Sequence, residues 1–329
     1  MEIKTVSLKD YSSLRIGGEG KLVVVRNEEE LQEAVMHAEV AGLRVHLIGQ
    51  GTNSYFGNDL SEFLFIQVDM EGVSFDGETV TAHVSVVWDD LVIACVSHGL
   101  WGIENLSYIP GTVGAAPVQN IGAYGTDLSR TFASLRAYDT ELSIFVELNK
   151  NDCMFGYRDS LFKQQPHRYV IISVCLKLSH EPRPVLVYKP LDALVGTENI
   201  TLGAIRELVI QTRTNKLPDW KAHPNAGSFF KNTTVDKDTA HALQEKYPTL
   251  PLIEVADGYK VPSAWLIEHV AGMKGVRVGN IGTWPLQPLV LVNYGDATAD
   301  DVDAFAKNIK EKIYEKTGLA IEQEVNRVG

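Results

Sequence analysis

Ser228 stands in the segment NAGSFFKN, residues 225–232, behind a glycine and ahead of two phenylalanines. Its hydroxyl can therefore face a site with apolar walls, although most loop serines only cap or turn the chain. It lacks a GxSxG context, so a hydrolase elbow is not supported. Near the end of the chain, IEQEV at 321–325 sets Glu322 and Glu324 two residues apart, on one face of an extended tail. The usual fate of such a pair is a solvated acidic edge. Two further stretches suit the approach of a ligand to backbone. GQGTNS, residues 49–54, follows a short apolar strand, and successive N–H groups in a glycine-bearing turn form a concavity for phosphate oxygens. PGTVGAAPVQNIGAYG, residues 110–125, is uncharged and rich in Gly and Ala, which carry little bulk beyond Cα. One reading makes it a cradle for a large, flat, polar cofactor. The other makes it a tight helix packed on a sheet.

The elements that hold these stretches follow from periodicity. Residues 28–41 predict a helix, with Leu31, Ala34, Val35 and Ala38 on one face, Asn27 as N-cap and Gly42 as the stop. Strands are expected at 21–25 and 44–48 on either side of it. Strand, helix, strand and glycine turn resemble a dinucleotide site, but not the Rossmann fingerprint, since 55–58 opens no helix. A turn that merely needs positive φ is the alternative. Alternating residues around Asp76-Gly77 predict a hairpin. Helices are expected at 88–98, 202–212, 263–270 and 300–316, and strands at 135–148, 169–178 and 289–293. Lys216-Leu217-Pro218 breaks the chain and marks a domain boundary.

With 329 residues, the chain is long enough for two or three domains with cores of their own. A formal charge of −12 argues against a nucleic-acid surface. The three cysteines, Cys95, Cys153 and Cys175, show no CxxC spacing, so no zinc site is expected and reduced thiols in a cytoplasm are. The first residues contain no apolar signal region, and the apolar runs are too short to span a bilayer.

Taken in order, SSLRIGG, GQGTNS, PGTVGAAPVQNIGAYG, GYRDSLFK, TRTNKLPDW, NAGSFFKN, the helix from Ser263 with downstream Lys274-Gly275, and the terminal IEQEV resemble UDP-N-acetylenolpyruvoylglucosamine reductases. The likeness spans nearly the whole chain. Tyr188, in a loop before Pro190, resembles the longer subtype, in which a loop tyrosine closes over the substrate. Gln50 and Thr52 stand where the family usually has Gly and Ser, and Gly282-Thr283-Trp284 falls where a His-bearing segment is common.

The resemblance implies an α+β architecture: an FAD-binding fold of two α+β subdomains, like that of vanillyl-alcohol oxidases, and a C-terminal α+β substrate domain. The expected division is 1–57 and 58–214 for the subdomains, with a C-terminal strand at 318–329 joining the second, and 215–317 for the substrate domain. It implies non-covalent FAD on Gly49, Gln50, Gly51, Thr52, Asn53 and Ser54 of the first turn. From the second stretch it implies Pro110, Gly111, Thr112, Gly114, Ala115, Gln119, Asn120, Gly122, Ala123, Tyr124 and Gly125. It implies reduction of UDP-N-acetylglucosamine enolpyruvate by NADPH for peptidoglycan precursor synthesis. Hydride goes to the vinyl carbon, and negative charge then builds beside the carboxylate. Arg158, with a permanent charge and a planar fork, would hold that charge. Ser228 would protonate the α-carbon, and Glu324 would assist only if protonated or bridged by a donor. Tyr157, Tyr188, Arg213, Lys216, Asn232, Lys260 and Lys274 would contact the nucleotide sugar. The protein would be a cytoplasmic monomer without metal, membrane or nucleic-acid partners. Two other functions remain open: another FAD-dependent oxidoreductase or oxidase of the same fold, and a non-catalytic nucleotide-sugar binding protein.

Overall fold

The computed structural model describes residues 1–329, and their contacts divide them into two compact units. The first comprises Met1–Val6, Gly20–Gln50 and Ser61–Asn215; the second comprises Ser7–Glu19, Gly51–Leu60 and Lys216–Gly329.

The first unit contains two sheets. In one, Glu19–Val25 and Arg44–Leu47 both run parallel to Phe63–Val68, which lies between them. Parallel neighbours need a crossover, and the helix Glu28–Val40 provides it. Asn27 caps this helix by accepting the Glu30 N–H, and Leu31, Ala34, Val35 and Ala38 are buried, as their spacing predicts. Burying Leu31 alone is worth about 1.5–3 kcal/mol. The second sheet has five antiparallel strands in the order Ile144–Asn149, Phe132–Asp139, Tyr169–Lys177, Thr79–His83, Val73–Asp76. The helix Trp88–Ser97 buries Trp88, Leu91, Val92 and Cys95 in the same core as Val80, Leu135 and Val174. The helix Leu202–Lys216 buries Leu202, Ile205 and Val209 with Trp101 and Leu191.

The second unit has a four-stranded sheet in the order Asn225–Ser228, Gln287–Asn293, Ile281–Trp284, Arg277–Val278. A three-stranded sheet joins Thr233–Val235, Gly258–Val261 and Ile253–Val255. The helix Ala299–Thr317 opens with a capping box of Thr298 and Asp301 and closes on Gly318 at φ +73°. Its stripe of Val302, Phe305, Ala306, Ile309 and Ile313 is buried with Phe229 and Phe230. The expected helix at 263–270 starts as Ser263–Trp265 and widens into a π-helical turn, Leu266–Val270.

Two expectations are corrected. Residues 110–125 form no helix: they are a chain of turns, ending in the short pairing of Gly122–Ala123 with Thr126–Asp127. Pro117 and the positive φ of Gly111, Asn120 and Tyr124 account for that. The tail does not extend as one strand. Only Asn326–Val328 is a strand, pairing in parallel with Ser54–Phe56, and the whole tail belongs to the second unit. Ile321 and Val325 enter that unit's core, and Glu324 is buried beside Val325, which breaks the simple alternation. Glu322 and Glu324 consequently differ, the first exposed and the second 8% exposed.

Candidate functional site

In the first unit the two glycine motifs meet. The Gly111 N–H donates to Gln50 Oε1 at 3.1 Å, and a Cβ on Gly49 would lie 3.1 Å from Thr112 Oγ1. The amides of Gly49, Gln50 and Thr112 donate to no backbone carbonyl. A set of uncommitted N–H donors beside a threonine hydroxyl is the chemistry that receives a diphosphate, so these residues fit an FAD. Gly49 and Ala115 are exposed and small enough for close approach. Other glycines of these motifs serve the protein's own packing. A Cβ on Gly114 would meet Val84 Cγ2 at 2.1 Å. In the second unit, a Cβ on Gly51, at φ +62°, would meet the Tyr11 carbonyl oxygen at 1.8 Å.

Arg158 lies on a tight turn in which Gly156 and Asp159 bond each other's backbones. Its own φ is +54°, a left-handed value uncommon outside glycine. Arg158 Nη2 donates to the Gly122 carbonyl at 2.6 Å, and its guanidinium sits 5.5 Å from the centre of the exposed Tyr157 ring. Gly122 has no room for a side chain: a Cβ there would lie 3.0 Å from Arg158 Nη1, from Asp127 Cβ and from the Thr126 carbonyl oxygen. Ser160 Oγ donates to the Val118 carbonyl at 2.6 Å, and Lys163 Nζ donates to the Arg158 carbonyl at 3.3 Å. Asn120 is 4% exposed, and both ends of its amide are used inside the protein, on Gly156 O and Ser129 N–H. Each end of its amide thus already holds a protein group.

The Tyr188 loop rests on the end of the same stretch. Buried Asn105 donates to both the Tyr124 and Val185 carbonyls, at 2.9 and 2.8 Å, and a Cβ on Gly125 would meet Val187 at 2.7 Å. Tyr188 itself is 46% exposed. Asn105 carried no motif signal in the sequence; it is legible only as a buried loop amide. Arg213 lies near Tyr124, and its Nε donates to the Tyr108 carbonyl at 3.1 Å. Burial pushes its guanidinium pKa down from the usual value. Tyr108, at φ +59°, is held from its other side by Asp89, which Arg206 grips with two bonds of 2.7 and 2.8 Å. The Arg206 bonds and the Tyr108 N–H overcome the penalty of burial and keep the Asp89 carboxyl below the usual carboxylate range.

In the second unit, Ser228 ends the strand Asn225–Ser228, whose partner is Gln287–Asn293, and Gly227 before it sits at φ +72°. Asn225 locks that approach: its Nδ2 donates to His223 O at 2.7 Å, its Oδ1 accepts the Gly227 N–H, and its carbonyl accepts from Ser13. Ser228 is half-buried, and its hydroxyl bonds no protein group, unlike those of Ser12, Ser13 and Ser263. The tail runs alongside: the Lys231 N–H donates to Glu322 O, and the Glu324 N–H to Phe229 O. Asn53 Nδ2 donates to the Glu324 carbonyl at 3.4 Å. The structure thus brings Ser228, Glu324 and Asn53 into one neighbourhood.

The remaining expected contacts are scattered. Asn232 Oδ1 accepts the Ser263 N–H, and no protein group is bonded to its NH₂. Lys260 sits mid-strand, opposite Thr234 and Ile253. Lys216 is exposed at the end of its helix. Lys274 Nζ is held by Glu268 Oε1 at 2.8 Å, so an anion there would have to displace a carboxylate. Thr283 is buried and bonds Met273 O and Val276 N–H, which fixes the strand bearing Trp284.

Such turns beside an α+β framework define an FAD-binding oxidoreductase, and comparison with known families agrees. The model described as "FAD binding domain" matches residues 21–141. The model described as "UDP-N-acetylenolpyruvoylglucosamine reductase, C-terminal domain" matches residues 219–328. A Pseudomonas aeruginosa protein named UDP-N-acetylenolpyruvoylglucosamine reductase is 40% identical over 330 residues, 97% of each chain. One of the same name from Amoebophilus asiaticus is 39% identical over 313 residues, 92% of each. The crystal structure of the Thermus caldophilus UDP-N-acetylenolpyruvylglucosamine reductase shares the fold, with TM-score 0.72, 22% identity and full coverage of both chains. The chain belongs to the UDP-N-acetylenolpyruvoylglucosamine reductase family.

Proposed function

We propose that the protein reduces UDP-N-acetylglucosamine enolpyruvate to UDP-N-acetylmuramate with NADPH, using non-covalent FAD. FAD, when bound, would supply the hydride-transfer chemistry that links NADPH to the vinyl carbon. Gly49, Gln50 and Thr112 of the first unit would hold it by their uncommitted amides. Arg158 binds the carboxylate oxygens on which negative charge develops; fixed and always protonated, it needs no reorganisation as the charge forms. Ser228 gives its proton to the α-carbon. A serine hydroxyl is a weak acid, so its efficiency comes from being held in place against a strongly basic carbon. Glu324, buried beside the Ser228 strand, assists there. Tyr188 closes on the nucleotide sugar from its loop, and Tyr157, Arg213, Lys216, Asn232 and Lys260 are its further polar contacts. Lys274 joins them only by leaving Glu268.

The single observation that carries this reading is the Ser228 hydroxyl, held on a locked strand and left without a protein partner. No helix is long and apolar enough to cross a membrane. We expect the enzyme to work in the cytoplasm, where substrates of this class are made, and to be monomeric. The test is turnover under air. NADPH absorbance should fall only when the enolpyruvyl nucleotide sugar is present, with a product two hydrogens heavier and no hydrogen peroxide. NADPH consumption that yields peroxide and an unchanged nucleotide sugar would make it an oxidase. A colourless protein that binds the sugar without turnover would make it a binding protein.

A further inference from the structure

Arg158 holds a left-handed backbone conformation that a non-glycine residue keeps only when its surroundings over-determine it. Besides Lys163 and the turn's own backbone bonds, one short piece of chain grips it. Val118 receives Ser160, Asn120 holds Gly156, and Gly122 receives the Arg158 guanidinium. The turn is therefore clipped residue by residue to 118–122, part of the stretch whose other end meets Gln50. Asn120 is the middle clip. It is 4% exposed at φ +44°, a conformation asparagine tolerates better than most residues. Its Nδ2 donates to Gly156 O at 3.1 Å, and its Oδ1 accepts the Ser129 N–H at 3.0 Å. Two acceptors for the NH₂ would be needed if the amide were reversed, and Ser129 N–H offers none, so this orientation is fixed.

We propose that Asn120 is a positioning residue for Arg158, setting the turn that aims its guanidinium, and not a cofactor ligand. The inference rests on the reading of Arg158 as the group that holds substrate charge. Without the Gly156 clip, the turn can relax toward right-handed φ at Arg158 and carry the guanidinium away from Gly122. Cofactor contacts made by backbone of 110–115 would not change.

The test is Asn120→Gly, which removes both side-chain bonds while accepting positive φ, with Asn120→Asp as a second variant. The aspartate keeps the bond from Ser129 N–H but sets an oxygen against Gly156 O. Both variants should retain a full complement of FAD and be reduced by NADPH within about twofold of the parent. Oxidation of the reduced flavin by the enolpyruvyl substrate should slow at least about tenfold. Added to Arg158→Ala, Asn120→Gly should change that step less than about twofold, because residues acting through one group are not additive. Full additivity, or loss of FAD from either variant, overturns the proposal. If Arg158→Ala itself leaves the step intact, the reading of Arg158 fails instead. Hydrogen exchange at the amides of 156–160 then decides the positioning claim alone: faster exchange in Asn120→Gly supports it, and unchanged exchange overturns it.

Discussion

The Glu324 N–H donates to the Phe229 carbonyl at 2.8 Å, fixing the last acidic residue of the chain beside the residue that follows Ser228. A second bond, Lys231 N–H to Glu322 O at 2.9 Å, sets the register, and Gln323 Nε2 reaches back to Tyr55 Oη and Val325 O. Glu324 therefore keeps its backbone place whatever its side chain carries. Glu324→Gln should leave the unfolding midpoint and FAD reduction unchanged. Substrate-driven oxidation of the reduced flavin should slow at least about tenfold, in keeping with the loss of an assisting acid or base. A drop in FAD reduction of the same size would place Glu324 on the cofactor instead.

Tyr188 is exposed on a loop that Asn105 holds at Val185. Nothing ties its ring to the glycine turns, so Tyr188→Phe should raise KM for the nucleotide sugar by about tenfold, one hydrogen bond to a charged group. NADPH-driven bleaching should stay at the parent rate. Slower bleaching with unchanged KM would contradict the assignment.

Much of this was legible from residues alone. The helix Glu28–Val40 and its Asn27 cap follow from apolar spacing and one side chain, and the helix Ala299–Thr317 from a stripe and a terminal glycine. The glycine stretches were legible as close-approach sites, but not what approaches. Val84 fills the space at Gly114 and Arg158 the space at Gly122, and such long-range fits leave no local trace. Asn120 illustrates the same limit: a polar residue in a glycine run looks free for a ligand until Gly156 and Ser129 are folded against it. The tail departs from a strand's alternation because neighbouring residues are buried together. Ile321, Glu324 and Val325 are buried by the second unit's core and by the bonds to 229–231, not by a strand's pleat.

His46 lies among Phe63, Phe65 and His167, and burial, with His167 and Arg44 nearby, pushes its pKa down to about 4. The unfolded chain binds a proton near pH 6.5 that the folded chain refuses until about pH 4. Stability from His46 is thus complete above pH 6.5 and is lost as pH falls through that window, by at most about 3 kcal/mol. Urea unfolding between those limits should show a smaller pH slope in His46→Gln than in the parent. Identical slopes would show that His46 does not titrate this way.

Cys95 and Cys153 are fully buried, and burial pushes both thiols up to about 12, with Asp152 adding to it for Cys153. Thiolate is the reactive form, so the native protein should titrate with one accessible thiol, Cys175, and the denatured protein with three. Three fast native thiols would mean that the core around Trp88 opens readily.

Ser228 carries the central claim. Hydride transfer from NADPH to FAD creates no carbanion and needs no acid, whereas reduction of the enolpyruvyl group does. Stopped-flow absorbance of the flavin in Ser228→Ala, followed anaerobically for each half-reaction, separates the two. Bleaching by NADPH should be near normal and re-oxidation by substrate slowed by at least ~10²–10⁴-fold, the range for a lost general acid, with part of the rate recovered in Ser228→Cys. Equal slowing of both halves, or of neither, would contradict it.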